Sequence, residues 1–208
     1  MALWDLDQIK AYVRILTQKK GAAYSDTDLG NDINRYYYYK FPLEVQPGEL
    51  LDWYEFNTVA STDTYAINDD EATVIQAPLY VNNIKARVWL DPESFYDRFP
   101  QNSTYDEQRP QHALIYGGNI VFRHAPDAIY PVKIQSVLRP TTLTAGTQTP
   151  TREEWGPIIA YGTAIEKLTA SRDLDGANTL REMYEEHKST AQVRTGQQLF
   201  SGRVVGRY

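Results

Sequence analysis

The chain has 208 residues, 42% of them hydrophobic, and a formal net charge of −6. That length can bury one core or two small ones, while the acidic balance excludes a protein that grips nucleic acid over its whole surface, because such affinity comes from Lys and Arg neutralising phosphates. Cysteine is absent and the histidines are only His112, His124 and His187, which excludes disulfides, a thiol nucleophile and a cysteine-based zinc site and leaves neither metal nor cofactor to expect.

In chain order, the opening MALWDLDQIK lacks a basic-then-apolar leader, and no stretch nears the roughly 18 apolar residues of a membrane span, so a soluble protein with no membrane partner is expected. Asp5 to Lys19 predicts a first helix, with Asp5 and Gln8 spaced as a capping box and Leu6, Ile9, Val13 and Leu16 forming one stripe. Gly21 ends it. Ser25 and Asp28 repeat the capping pattern and open a second helix through Leu29, Ile33 and Tyr36-Tyr37-Tyr38-Tyr39, which Pro42 is expected to stop. Residues 1–42 thus read as a helical hairpin. Four successive tyrosines cannot share one helix face; they either divide between core and surface or offer a subunit interface through Tyr36, Tyr37, Tyr38 and Tyr39.

From 43 to 140 the pattern turns to strands. LDWYEFNT, TYAI, TVIQAPLYV and IKARVWL are short and rich in aromatic and β-branched residues. Asn82-Asn83 reads as a two-residue hairpin, Asp91 to Arg98 as a short helix with Pro92 at its first position, and Gln101 to Gln111 as a loop. ALIYGGNIVFRH is a hairpin around Gly117-Gly118-Asn119, and YPVKIQSVLR a further strand. PTTLTAGTQTP reads as a linker or extended arm, with the linker taken as residues 141–150.

Residues 151–197 predict a helical pair. Thr151 and Glu154 are spaced as a capping box, and Trp155, Ile158, Ile159, Gly162, Ile165, Leu168 and Thr169 recur at helical spacing; the next helix starts near Asp175 and repeats Leu180, Met183, Tyr184, His187 and Ala191. The last segment, 198–208, reads as an extended tail that is apolar and basic at once. The class is therefore α+β: an N-terminal helical hairpin and a C-terminal helical pair forming a bundle, a central mostly antiparallel β region, and an extended C-terminal tail.

Charge is unevenly spread. Phe41 to Ile84 contains no Lys or Arg but includes Glu49, Asp52, Glu55, Asp69, Asp70 and Glu71, whereas Arg194 to Tyr208 contains three arginines and no acid. An acidic middle and a basic end point to two different surfaces, or to solvated surface plus a tail of chance composition. No catalytic pattern accompanies them. Gly117-Gly118 lies in no phosphate-binding motif, Glu185-Glu186-His187 lacks a second histidine at helical spacing, Asn68 to Glu71 lacks the glycine and distal glutamate of a calcium loop, and no serine sits in a GxSxG elbow. A non-enzymatic protein is expected.

Taken together, DLDQIKAYVRILT, SDTDLGNDINRYYYYKFP, the aromatic LDWYEFNT and ESFYDRFP, EEWGPIIAYGTAIEKL and LREMYEEHK resemble, in order and texture over most of the chain, the head-to-tail adaptor (connector) proteins of tailed bacteriophages, the group that includes the tail tubular protein A of short-tailed phages. The resemblance implies a homo-oligomeric ring, usually a dodecamer, at the head-tail junction of a virion assembled in the host cytoplasm. Its partners would be the portal protein, a tail tube or nozzle protein, and double-stranded DNA that passes without specific binding during ejection. The tail residues Leu199, Phe200, Arg203, Val204, Val205, Arg207 and Tyr208 would bind the portal, and Glu49, Asp52, Glu55, Asp69, Asp70 and Glu71 would face the channel, where fixed negative charge repels phosphates. Within the same class a tail terminator or stopper is the alternative; from another class, the strand aromatics fit a soluble carbohydrate-binding or carbohydrate-processing domain.

Overall fold

A computed structural model of the chain describes residues 4–18, 25–100 and 106–201. The fold is α+β and divides into two units, one from Met1–Leu50 with Arg139–Tyr208, the other from Leu51–Leu138. The two ends of the chain thus build one unit, and a single continuous stretch builds the other.

The first unit is helical. Helix α1, Leu6–Leu16, starts where the Asp5 carboxylate accepts the Gln8 amide at 2.8 Å, and buries Leu6, Ile9 and Val13. Helix α2, Asp26–Arg35, starts at Ser25, whose Oγ accepts the Asp28 amide at 3.1 Å, and buries Leu29 and Ile33. Pro42 does not end this second helical stretch as its sequence position predicts. The helix widens into a π-turn over Tyr36–Lys40, with the Phe41 amide donating to the Tyr36 carbonyl, and continues as the short α3, Phe41–Val45. Proline is tolerated there because it sits in the first turn of α3, where an amide hydrogen would have no intrahelical partner. The chain leaves α3 only at Gln46, which adopts a left-handed conformation with φ 48°.

Two expectations for the C-terminal half are corrected. Thr151 does not cap a helix, because its hydroxyl and amide are both engaged by the Tyr37 hydroxyl, at 3.2 and 3.1 Å. A short 3-10 turn, Glu153–Trp155, intervenes, and helix α5 runs Gly156–Ala170. Helix α6, Leu174–Ser201, is capped by Asp173 and not Asp175: the Asp173 carboxylate accepts the Gly176 amide at 3.0 Å. The helix therefore takes in residues 198–201, which the sequence assigned to an extended tail. Its inner face carries Ala177 and Tyr184, with Leu180, His187 and Ala191 half-buried, while Met183 points to solvent.

Helix α5 is the axis of this unit. Every residue from Ile158 to Ala164 is buried, and α1 and α6 both pack on it. A helix apolar on all sides is one surrounded by other elements. Nor is the segment before it a free arm: Asn34 bonds Leu143 twice, at 2.8 and 2.7 Å, the Leu6 and Asp7 amides donate to the Gln148 and Gly146 carbonyls at 3.0 Å, and Leu143 is buried.

The second unit is one mixed sheet in the order β1-β7-β3-β4-β5-β6-β2. Its strands are β1 (Leu51–Asn57), β2 (Thr64–Ala66), β3 (Ala72–Val81), β4 (Ile84–Trp89), β5 (His112–Tyr116), β6 (Asn119–Arg123) and β7 (Pro131–Leu138). All pairs are antiparallel except β4 with β5. That parallel pair needs a crossover, which contains helix α4, Pro92–Arg98, capped by the Asp91 carboxylate accepting the Ser94 amide at 3.0 Å. Asn82 and Asn83, at φ 51° and 62°, make the tight turn between β3 and β4. Pro78, which has no amide to donate, lies at a break in the β3–β7 register. The sheet curls until rings from its two edge strands meet: Phe56 of β1 and Tyr65 of β2 lie 5.2 Å apart, over a core of Leu79, Val81, Ile120, Phe122, Val132 and Ile134.

The helical unit leaves no room at Gly162, where an added Cβ would lie 2.1 Å from Cζ of Tyr36. Gly162→Ala is expected to destabilise the chain by about 1–3 kcal/mol, read as a lower urea midpoint. An unchanged midpoint would show that Tyr36 moves aside freely.

Candidate functional site

The π-turn divides the four tyrosines. Tyr36 and Tyr37 are 2% and 1% exposed, Tyr38 is half-buried and Tyr39 is exposed. Tyr36 and Tyr37 are thus taken up by the core of the folded chain, since successive positions on a helical turn point in different directions and these two fall on the α5 side. Tyr37 lies against Phe41 and Trp155, with ring centroids 5.7 and 6.5 Å away. On the outer side the Arg139 guanidinium sits 5.1 and 4.9 Å from the ring centroids of Tyr38 and Tyr39 and donates to the Tyr38 carbonyl at 3.0 Å.

Tyr36 forms the floor of a cleft of about 790 Å³ between the π-turn, α5 and α6, whose rim carries Arg35, Lys40, Glu166, Arg181 and Lys188. Inside it the Tyr36 and Tyr184 hydroxyls are 2.9 Å apart and both donate to Glu44 Oε2, at 3.1 and 2.5 Å. Burial pushes both phenols above their ordinary range, and the neighbouring carboxylate adds to the effect. These groups are held protonated as donors, so they supply no base or nucleophile at neutral pH. On the rim, Lys40 pairs with Glu166, and Lys188 with Glu185 at 3.5 Å.

The acidic residues picked out from the sequence are divided between the two units. Glu49 belongs to the helical unit and faces Arg152 and Arg194, at 3.5 and 3.9 Å, so its charge is answered within the fold. Asp52 and Glu55 are three apart on β1 and project from opposite faces, as alternation in a strand requires. Glu55 pairs across the ladder with Lys133 at 2.7 Å, and the Asp52 carboxylate accepts the Trp53 amide at 2.8 Å. Only Asp69, Asp70 and Glu71 form a local exposed group, in the turn before β3, where Asn68 donates to Glu71 at 2.8 Å and accepts the Asp70 amide at 3.1 Å.

Of the tail residues, Leu199 and Phe200 fall on the last turns of α6, with side chains outside the described residues; Arg203, Val204, Val205, Arg207 and Tyr208 lie wholly outside them. The histidines are dispersed. His112 accepts the Trp89 indole hydrogen at 3.3 Å and is held below its ordinary pKa by burial and then by Arg87, while His187 stacks on Tyr161 at 5.5 Å. Among the described residues no cluster of His, Cys, Asp or Glu is arranged to hold a metal, and no helix is long and apolar enough to cross a membrane.

Sequence reading missed Glu44 as the common acceptor and Arg139 as the clamp on the outer tyrosines. Glu44 lies two helical turns beyond Tyr36, a spacing that becomes visible once Pro42 is taken as a helix start. Nothing in the local sequence marks Arg139.

Because the Tyr36 and Tyr184 phenols are raised in the fold above the value of about 10 that they have in an unfolded chain, their contribution to stability is complete below that pH and is lost as pH rises from there through their raised folded values. The urea midpoint is expected to start falling at about pH 10 and to keep falling as pH rises further. Tyr36→Phe is expected to cost about 1–2 kcal/mol at neutral pH and to flatten that fall; an equally steep fall in the variant would assign the effect to other groups.

Comparison with protein-family models and with curated proteins finds no match for this chain.

Proposed function

We propose that the chain is a head-to-tail adaptor of a tailed bacteriophage: a non-enzymatic virion protein whose copies, twelve in the usual arrangement, form a ring that joins the portal to the next tail component and lets DNA pass. In this reading the helices of the first unit act as a bundle that builds the ring, and the β unit receives the tail tube or nozzle protein. The exposed turn Asp69, Asp70 and Glu71 contributes to an acidic surface that DNA does not adhere to.

The observation that carries the reading is α6. At 28 residues and about 1.5 Å per residue it is about 42 Å long, and its inward contacts thin out toward the C-terminus. Ala177 and Tyr184 are buried, whereas Ala191 and Arg194 are half-buried and Val193 is 61% exposed. The helix leads into the apolar and arginine-bearing sequence Leu199 to Tyr208. A long helix rooted at one end and delivering such a segment at the other suits an arm that docks on a second protein. A cleft whose buried phenols are locked as donors suits a structural role better than a catalytic one.

Two measurements test this. Light scattering of the purified chain, alone and with the portal protein encoded in the same genome, is expected to show a ring in the mixture. A chain that stays monomeric beside portal, and is missing from purified particles, would remove the adaptor reading; a ring formed only with the tail tube protein would turn it into a terminator. Deleting residues 198–208 takes away the last turn of α6 and the segment beyond it. Portal binding is expected to fall below detection with the urea midpoint unchanged, and retained binding would place the docking element elsewhere.

A further inference from the structure

Two surfaces of the helical unit are complementary to one another in charge and each carries exposed apolar side chains. The first is the outer side of the π-turn and α3. Tyr39 and Leu43, four residues apart, are each 50% exposed, and the Arg139 guanidinium lies against both the Tyr38 and Tyr39 rings, whose centroids are 4.9 Å apart. This is an aromatic and cationic knob whose side chains are already ordered, so little conformational entropy remains to be lost when it is covered. Tyrosine and arginine are also the residue types that concentrate in the energetic centres of interfaces.

The second is the solvent side of α6. Taking about 100° per residue, Glu182, Glu186 and Val193 fall within about 40° of one another, opposite Tyr184, with Met183 beside them. Val193 and Met183 are 61% and 42% exposed, and among the described residues neither Glu182 nor Glu186 is in an ion pair; the neighbouring Glu185 takes Lys188. The face therefore offers apolar contact together with two carboxylates that have no counter-ion among the described residues.

We propose that these surfaces bind each other between copies of this chain, the knob of Tyr39, Leu43 and Arg139 on one copy docking on Glu182, Glu186 and Val193 of the next. A second copy is the occupant because both halves of the complementary pair are carried by the same polypeptide. The guanidinium meets carboxylates, and the Leu43 and Tyr39 side chains meet Val193 and Met183. Two different patches make the contact heterologous, so that each copy gives one and receives the other, and the series closes into a ring when the rotation allows. The inference takes from the adaptor reading only that copies of the chain meet.

The absence of native cysteine makes the test direct. Leu43→Cys and Val193→Cys alter one exposed side chain each, and the two single variants are mixed under oxidation, with and without portal protein, then run on a non-reducing gel. A covalent heterodimer is expected from the mixture, and a ladder of multimers from the doubly substituted chain. Adding Glu182→Arg and Glu186→Arg should lower the yield about tenfold or more. Absence of the heterodimer, or an equal yield from Leu43→Cys alone, overturns the proposal, as does a yield untouched by the charge reversal. Rings seen by electron microscopy without this cross-link leave the adaptor reading standing and remove only the interface; a ladder without portal binding does the reverse.

Discussion

The helical unit depends on one close approach, the Tyr36 ring against the backbone of α5 at Gly162, where no side chain larger than hydrogen fits. Small residues on either side, Ala160, Thr163 and Ala164, are buried as well and let the surrounding helices come near. Placing a tyrosine this deep creates a second requirement, because a phenol hydroxyl shut off from water must find a partner inside. Glu44 and Tyr184 meet it. Glu44 is within reach only because the chain continues through the π-turn into α3 instead of stopping before Pro42. One steric fit thus fixes the course of the chain from Tyr36 to Val45 and the position of α6 relative to α5.

The exposed ion pairs have a different weight. Arg14 with Asp26, Lys40 with Glu166 and Arg194 with Glu154 join separate elements, but a carboxylate or cation in water loses little on separation, so such pairs contribute little. They select among orientations that packing already permits. The segment between β7 and α5 illustrates the contrast. It has no regular structure, yet the reciprocal amide contacts of Asn34 with Leu143 and the burial of the Leu143 side chain hold it against the N-terminal helices.

Local chemistry explains which elements were legible in the sequence. Asp5, Ser25 and Asp91 cap helices where their spacing predicts, and Asn82-Asn83 turns a hairpin, because each requirement is satisfied within four residues. Some of the errors arise outside the local pattern. Thr151 carries a correct capping pattern but is taken by Tyr37, which is 114 positions away. Pro42 reads as a stop because the widened turn that accommodates it is stabilised by burial of Tyr36 and Tyr37, which periodicity does not encode. The acidic run from Phe41 to Ile84 looks continuous as composition, yet part of it belongs to each unit, and within β1 its members alternate across the strand.

The same hierarchy of strong inner and weak outer contacts governs how a load on the C-terminal end of α6 would be carried. Near that end the helix is tied by Arg194 to Glu154 and Glu49, charged groups with access to water, and by a long contact of 3.4 Å from Gln192 to the Glu44 carbonyl. Nearer its start it is tied by the buried Ala177 and by Tyr184, whose hydroxyl reaches the same carboxylate as Tyr36. Releasing the outer ties exposes groups that water can solvate, whereas releasing Tyr184 takes one of its two phenol donors from the Glu44 carboxylate, leaving Tyr36 alone on it. A pull on the arm therefore frees its outer turns first and leaves the root engaged with the helices from the N-terminal part of the chain. That order of yielding follows from where the polar groups are buried, with no dedicated hinge.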